Sequence, residues 1–361
     1  MFENEARMSS RPTKVLALTR YSSMAASTRQ RFDQYVPHLG KAGFEITSAP
    51  LFGDEYVASI GKSRSKALVA RSYAARLVNL VRAAGRFDAA WVQYDLFPFL
   101  PGFAERALRL ANIPYIVDYD DALFHNYDRG GALKTRLLGG KLTPLLAGAR
   151  GCAAGNAYLA DYLERYNRNV RIIPTVVDTE HYTVVESRNP RPVVGWIGSP
   201  STWRYVEPIL PQILPVIEAA GGRFRAVGSG RRGVHGIVEF VDWAEAREIE
   251  DVQQFDIGIM PLPDEEWARG KCGYKLIQYM ACGRPTIASP VGVNRQIVEH
   301  GVNGHLASSS EEWRSSLEAL LESRERRESM GSHGRRVVEG NYSLHSQIQP
   351  MVDLFDCLRV H

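Results

Sequence analysis

The stretch Gly270–Asn294, GKCGYKLIQYMACGRPTIASPVGVN, holds the residues best suited to chemistry in this 361-residue chain. Gly273 allows close backbone approach at the start of a helix of roughly nine residues, where unpaired N–H groups and the positive end of the helix dipole favour an anion such as a diphosphate. Lys275 adds a full positive charge one turn in. Leu276, Ile277, Met280 and Ala281 recur at helical spacing and face a core, while Lys275 and Gln278 share the opposite face. Gly283 stops the helix, and Pro285–Ala288 is an apolar strand of the kind buried in parallel sheets. By itself, a glycine-rich loop before a helix is as often a plain turn.

A second constellation is Gly195–Arg204, GWIGSPSTWR, read as strand, small-residue loop and helix start. Gly198 leaves room for an anion, Ser199, Ser201 and Thr202 can donate to it, and Arg204 can reach it. The plain alternative makes Ser201 or Thr202 an N-cap. A third is Pro114–Asp121, a buried strand ending in three carboxylates, with Asp118 and Asp120 on the same side by alternation. That pair can contact ligand hydroxyls or hold a divalent cation. Hydroxyl contact is the favoured reading, and Asp121 is also a candidate helix cap. Asn156 stands before a helix as cap or ligand. Arg29 is the best-placed cation of the loop 22–31, with Ser27 or Thr28 as the cap of the helix that follows.

Those residues need a scaffold of alternating strands and helices. Strands are expected at 14–19, 44–48, 88–93, 114–118, 152–154 and 170–173. A long helix is expected at 66–84, with others at 29–40, 102–111, 133–148 and 157–166, and Gly139-Gly140 and Pro144 weaken any long helix at 133–148. The segment 178–192 loses periodicity and reads as a linker. Strands then resume at 193–197, 224–227, 238–240, 256–260 and 286–288, followed by charged helices from 311. Such alternation implies right-handed crossovers and two Rossmann-like, doubly wound parallel sheets, with ligands at the carboxyl edges of the strands in a central cleft. The domains expected are 1–178 and 179–343, with 344–361 a candidate to pack back on the first.

Met280-Ala-Cys-Gly-Arg-Pro285 resembles the Met-Ala-x-Gly-x-Pro of the group 1 glycosyltransferases, glycosyltransferase family 4 with the GT-B fold, and further segments resemble that family in order from Val15 to Leu306. The resemblance implies a hexosyltransferase that moves a sugar from a nucleoside diphosphate to an acceptor hydroxyl of a glycan, glycolipid or lipid-linked saccharide, with retention and no metal or other cofactor. It places catalytic roles on Asp120, Arg204 and Lys275. The donor would contact Gly198, Ser199, Ser201, Thr202, Val241, Gly270, Lys271, Gly273, Tyr274 and Gln278. Arg29, Asp118, Asp121 and Asn156 fall on the acceptor side or the cleft. The chain also departs from the pattern. Ser199 replaces an arginine, Arg204 a lysine, Asp120 a cleft histidine, and Gly270 and Gln278 the paired glutamates. Gln278 can still bond ribose hydroxyls through its amide, and Lys271 or backbone can replace the lost side chain at Gly270. An epimerase or hydrolase of nucleotide sugars on the same fold, or a silent ligand binder, stays open.

A formal charge of +4 is modest, with basic residues gathered at Arg29, Arg31, Lys62, Arg64, Lys66, Arg71 and Arg76. No interleaving of aromatic and basic residues marks a nucleic-acid module. Four scattered cysteines show no metal spacing, and Cys272 reads as a packed thiol. The N-terminus, MFENEARMSS, is polar and acidic, unlike a signal peptide, and no run reaches the length of a membrane span. A cytoplasmic protein is expected. Peripheral membrane contact is open through Leu133–Arg150, where leucines alternate with basic residues, although a core helix flanked by lysine is the plainer reading.

Overall fold

The computed structural model describes residues 11–59, 65–129 and 131–359. The N-terminal stretch 1–10 and, from the basic cluster, Lys62 and Arg64 lie outside the described residues. Two units divide the chain: residues up to Pro174 together with those from Ile348 onward, and Thr175–Gln347.

The first unit is built on six strands: β1 (Thr13–Leu18), β2 (Phe44–Ser48), β3 (Ala89–Gln93), β4 (Tyr115–Tyr119), β5 (Gly151–Ala154) and β6 (Val170–Ile172). They lie in the order β2-β1-β3-β4-β5-β6, all parallel. β3, β4 and β5 are buried at every residue, as strands covered on both faces must be. The helix Leu344–Phe355 carries the chain end onto this sheet, where the Phe355 ring lies 4.9 Å from Trp91 and 5.3 Å from Phe44.

The second unit has seven strands: β7 (Val193–Ile197), β8 (Arg223–Val227), β9 (Gly233–His235), β10 (Val238–Val241), β11 (Ile257–Met260), β12 (Thr286–Ala288) and β13 (Gly304–Leu306). Their order is β13-β12-β11-β7-β8-β10-β9, parallel except for β9 against β10. Alternate residues of β7 feed two cores. Val193 and Ile197 join Leu276, Ile277 and Met280 of the helix Tyr274–Ala281. Val194 and Trp196 join Phe224, Ile257, Ile287 and Trp313.

Several expected elements differ in detail. The helix anticipated over 133–148 is two, Ala132–Leu138 and Thr143–Gly148, because Gly139-Gly140 and Pro144 interrupt it. The helix anticipated from Arg29 begins at Ala26 and is broken at Asp33 by a turn of 3-10 helix. Neither Ser27 nor Thr28 caps it: the N-cap is Ala25, and the buried Thr28 hydroxyl donates instead to the Tyr21 carbonyl at 2.9 Å.

Candidate active site

In the second unit the chain runs from β7 to β8 and β10 on one side, then crosses to β11, β12 and β13 on the other. The strand order therefore reverses between β7 and β11, the position where open α/β sheets bind ligands outside their carboxyl ends. These two strands pair at only two positions, Val194 with Ile257 and Gly195 with Gly258, and then part. Tyr279 fills the parting from below. Its hydroxyl accepts from Ile197 N at 3.1 Å and donates to the Ile259 carbonyl at 3.3 Å. Gly258 makes this possible, since a Cβ there would stand 2.3 Å from the Tyr279 ring.

Tyr279 belongs to the helix Tyr274–Ala281, so the same anchoring aims that helix's N-terminus at the loop after β7. The N-cap is Gly273 at φ +68°, a left-handed conformation natural to glycine, and a Cβ there would lie 2.4 Å from Ile297 Cδ1. Lys275 lies against the loop. A Cβ on Gly198 would come within 2.9 Å of its Cε, and its Nζ lies 5.9 Å from the centre of the Trp196 ring. Sequence positions 198, 273 and 275 thus meet at one corner, where a helix dipole and an ammonium supply positive potential. Lys271 is half-exposed beside it, its N–H donating to the Ala268 carbonyl, and Gly270 is buried at the end of the short helix Glu266–Arg269.

The hydroxyls expected to hold phosphate are tied together. Ser199 and Thr202 form a capping box at the four-residue helix Pro200–Trp203, with Ser199 N donating to Thr202 Oγ1 at 3.2 Å, and the Ser199 and Ser201 hydroxyls are 2.9 Å apart. Arg204 is exposed and donates to the Tyr205 hydroxyl at 2.8 Å, which holds its guanidinium above the ordinary arginine range. It borders a cavity of about 530 Å³ reached from the carboxyl ends of β11, β12 and β13 through Leu262, Ser289 and Ser308. A larger cavity, about 650 Å³, opens at the opposite ends of the strands, beside Pro192, Asp256 and Pro285. Its position, away from the switch point, outweighs its size.

Gln278 has a different task from the one expected. It is buried, and its amide donates to Glu248 Oε1 at 2.8 Å and to the Tyr182 hydroxyl at 3.0 Å. The Tyr182 hydroxyl and Trp243 Nε1 also donate to Glu248, each at 2.9 Å, and the Tyr274 hydroxyl stands 3.5 Å away. Glu248 remains half-exposed, so the group this network offers to solvent is a carboxylate from the helix Glu248–Gln253. Sequence reading missed it. The only signal was its place one helix start beyond Val241, whose carbonyl accepts the Gly228 N–H at 2.8 Å at the end of β10.

At the carboxyl edge of the first unit the three aspartates separate. Asp118 is fully buried, and its Oδ1 takes two hydrogen bonds from Arg31, at 2.9 and 2.8 Å. Burial raises its carboxyl and the guanidinium opposes that rise. It is therefore a structural ion pair rather than the acceptor contact expected. Asp120 accepts from the Tyr94 hydroxyl, and Tyr94 sits at φ +63°, a conformation uncommon for a residue with a side chain. Burial raises the Asp120 carboxyl to about 7, with Asp118 and Asp121 adding to the rise and Arg31 and Tyr94 opposing it. Asp121 accepts the N–H of Ala122, Asn156 caps Ala157–Leu163 by accepting Leu159 N, and Arg29 is half-exposed and ties down the Ser23 and Met24 carbonyls. Below the edge lies a second buried set that sequence did not suggest: Lys141 with Glu105 and Asp95, and Arg20 with Asp95. It braces the loop after β3, whose Leu96 and Phe97 N–H groups donate to Glu105. Cys272 is buried, and burial pushes the Cys152 and Cys282 thiols up to about 12, so neither of those two is poised as a nucleophile.

Residues 191–323, which include the whole β7–β11 corner, match the family model for glycosyl transferases group 1. That part of the chain is similar to the family, and the chain has the GT-B fold. Among solved structures it is similar to a sucrose-phosphate synthase from Thermosynechococcus elongatus, with a TM-score of 0.68 at 15% identity over 96% of this chain and 99% of that one. It is similar to Anabaena HepE in complex with UDP-glucose, with a TM-score of 0.69 at 14% identity over 95% and 99%. A glycosyltransferase from Rickettsia africae gives a TM-score of 0.71 at 11% identity over 97% and 100%. No curated protein matches.

Proposed function

We infer that this glycosyltransferase takes a sugar from a nucleoside diphosphate and transfers it to an acceptor hydroxyl, with retention at the anomeric carbon and without a metal. The observation that carries this reading is the meeting of Lys275, the N-terminus of Tyr274–Ala281 and the Gly198 loop at the sheet's switch point. Each would oppose the negative charge that builds on a diphosphate as the glycosidic bond breaks, so the leaving group is stabilised without a divalent ion. Glu248, half-exposed beside this corner, is an acceptor suited to the ribose diol. The HepE structure with UDP-glucose, on the same fold, supports a nucleotide sugar as the donor.

In the retaining course the acceptor hydroxyl approaches the face from which the diphosphate departs, and a phosphate oxygen takes its proton. Asp120, held by Tyr94 and close to half-ionised at neutral pH, receives a hydrogen bond from a hydroxyl of the acceptor. The test is calorimetric titration of the purified protein with UDP, GDP, ADP and dTDP and their sugars, repeated with Lys275→Ala. Binding of at least one nucleotide, weakened in the variant, supports the reading. Equal affinity in both proteins overturns the placement of the diphosphate. Product analysis of the anomeric configuration then tests retention.

A further inference from the structure

The first unit carries an uncharged surface loop, residues 97–103, with the sequence Phe-Pro-Phe-Leu-Pro-Gly-Phe. Phe97 is buried, but Phe99 is 54% exposed, Leu100 39% and Phe103 72%. Phe99 is held at φ +60° with its ring edge-on to Tyr127 at 5.7 Å, so the side chain is fixed rather than trailing. The helix Ala132–Leu138 adjoins this loop, with Lys134 Nζ 5.9 Å from the centre of the Phe99 ring. Leu133 and Leu137, four residues apart and so on one face, are 72% and 64% exposed.

A short helix depends on burying one face, yet residues 133–137 are all exposed. Five large apolar side chains from two touching segments therefore face water together, which marks an interaction surface. The charge around them narrows what covers it. From Arg129 to Ala160 the chain has no acidic residue and five basic ones. Of these, Lys141 is consumed internally by Glu105 and Asp95, while Lys134 and Arg136 are exposed on the helix that carries the leucines. Apolar anchors flanked by cations in an acid-free stretch complement an anionic lipid surface, with the side chains in the acyl boundary and the cations at the phosphates.

We propose that the loop 97–103 and the helix Ala132–Leu138 form a peripheral docking surface for an anionic membrane. The proposal is independent of the donor site and stands or falls separately from it. The test is co-sedimentation of the full chain with vesicles of phosphatidylcholine alone and of phosphatidylcholine with phosphatidylglycerol, over a range of salt. The wild type is expected to partition onto the anionic vesicles and to release as salt rises. Leu133→Gln combined with Leu137→Gln should lower the partition coefficient at least about tenfold. Lys134→Gln combined with Arg136→Gln should abolish the preference for anionic vesicles. Unchanged nucleotide binding in both variants serves as the control for folding. No sedimentation of the wild type with either vesicle overturns the proposal, as does wild-type partition by the leucine variant. Dissociation of a wild-type dimer into monomers by the leucine pair also overturns it, because a second copy would then be the cover.

Discussion

Asp120 and Glu248 are the two carboxylates whose surroundings assign them work. Asp120 titrates near 7 because burial disfavours its charge, and only the ionised form accepts a hydrogen bond from a hydroxyl at both oxygens. The transfer rate should therefore rise with pH through about 7, and Asp120→Asn should flatten that rise as well as lower the rate; steady-state kinetics between pH 5.5 and 8.5, a window of roughly one and a half units either side of the midpoint, measures both. A pH profile unchanged by the substitution would remove Asp120 from the reaction. Glu248 gathers Tyr182, Trp243 and Gln278 and presents a carboxylate to solvent. Glu248→Gln should weaken nucleotide binding about tenfold, in line with a hydrogen bond to a charged group. The variant should also lose discrimination between ribo- and deoxyribonucleotides, and discrimination equal to wild type would mean that the ribose lies elsewhere. In sequence, Asp120 was visible at the end of an apolar strand. Glu248 was not, because its partners come from positions 182, 243 and 278 and only folding brings them together.

At the scale of elements, the strands were the most legible part, because runs such as VVGWI and YIVDY are nearly continuous apolar segments between breakers. β9 and β13 were not read. Gly233–His235 is exposed throughout and pairs only with β10, so it has no buried pattern to show. Gly304–Leu306 is a three-residue edge strand following a glycine-rich turn. The helix Tyr274–Ala281 was legible from its capping glycine and apolar spacing, and its N-terminus is where the corner is most sensitive. Gly273→Ala forces a left-handed Cβ against Ile297 and should cost about 1–3 kcal/mol in denaturant unfolding, together with a loss of nucleotide affinity. An unfolding midpoint and affinity both equal to wild type would show that the helix start is not held by this glycine.

For the whole molecule, alternation of strand and helix was enough to give two doubly wound sheets, and the second unit begins at Thr175. The helix Leu344–Phe355 runs across the other division, with residues from Ile348 on grouped with the first sheet. The buried charge network beneath that sheet could not be read, since Arg31 and Asp118 are 87 residues apart and Lys141 and Glu105 are 36 apart. Such pairs look in sequence like ordinary surface charges. Arg31 was counted there among the gathered basic residues, and it is fully buried.

The central claim is that a diphosphate sits between Lys275, the Gly273 helix start and the Gly198 loop. Titration calorimetry of nucleoside diphosphates into wild type and Lys275→Ala addresses it most directly. Losing one charge-assisted contact should weaken the preferred nucleotide by at least about tenfold, with the melting temperature of the unliganded protein unchanged. An affinity that survives the substitution intact would contradict the account.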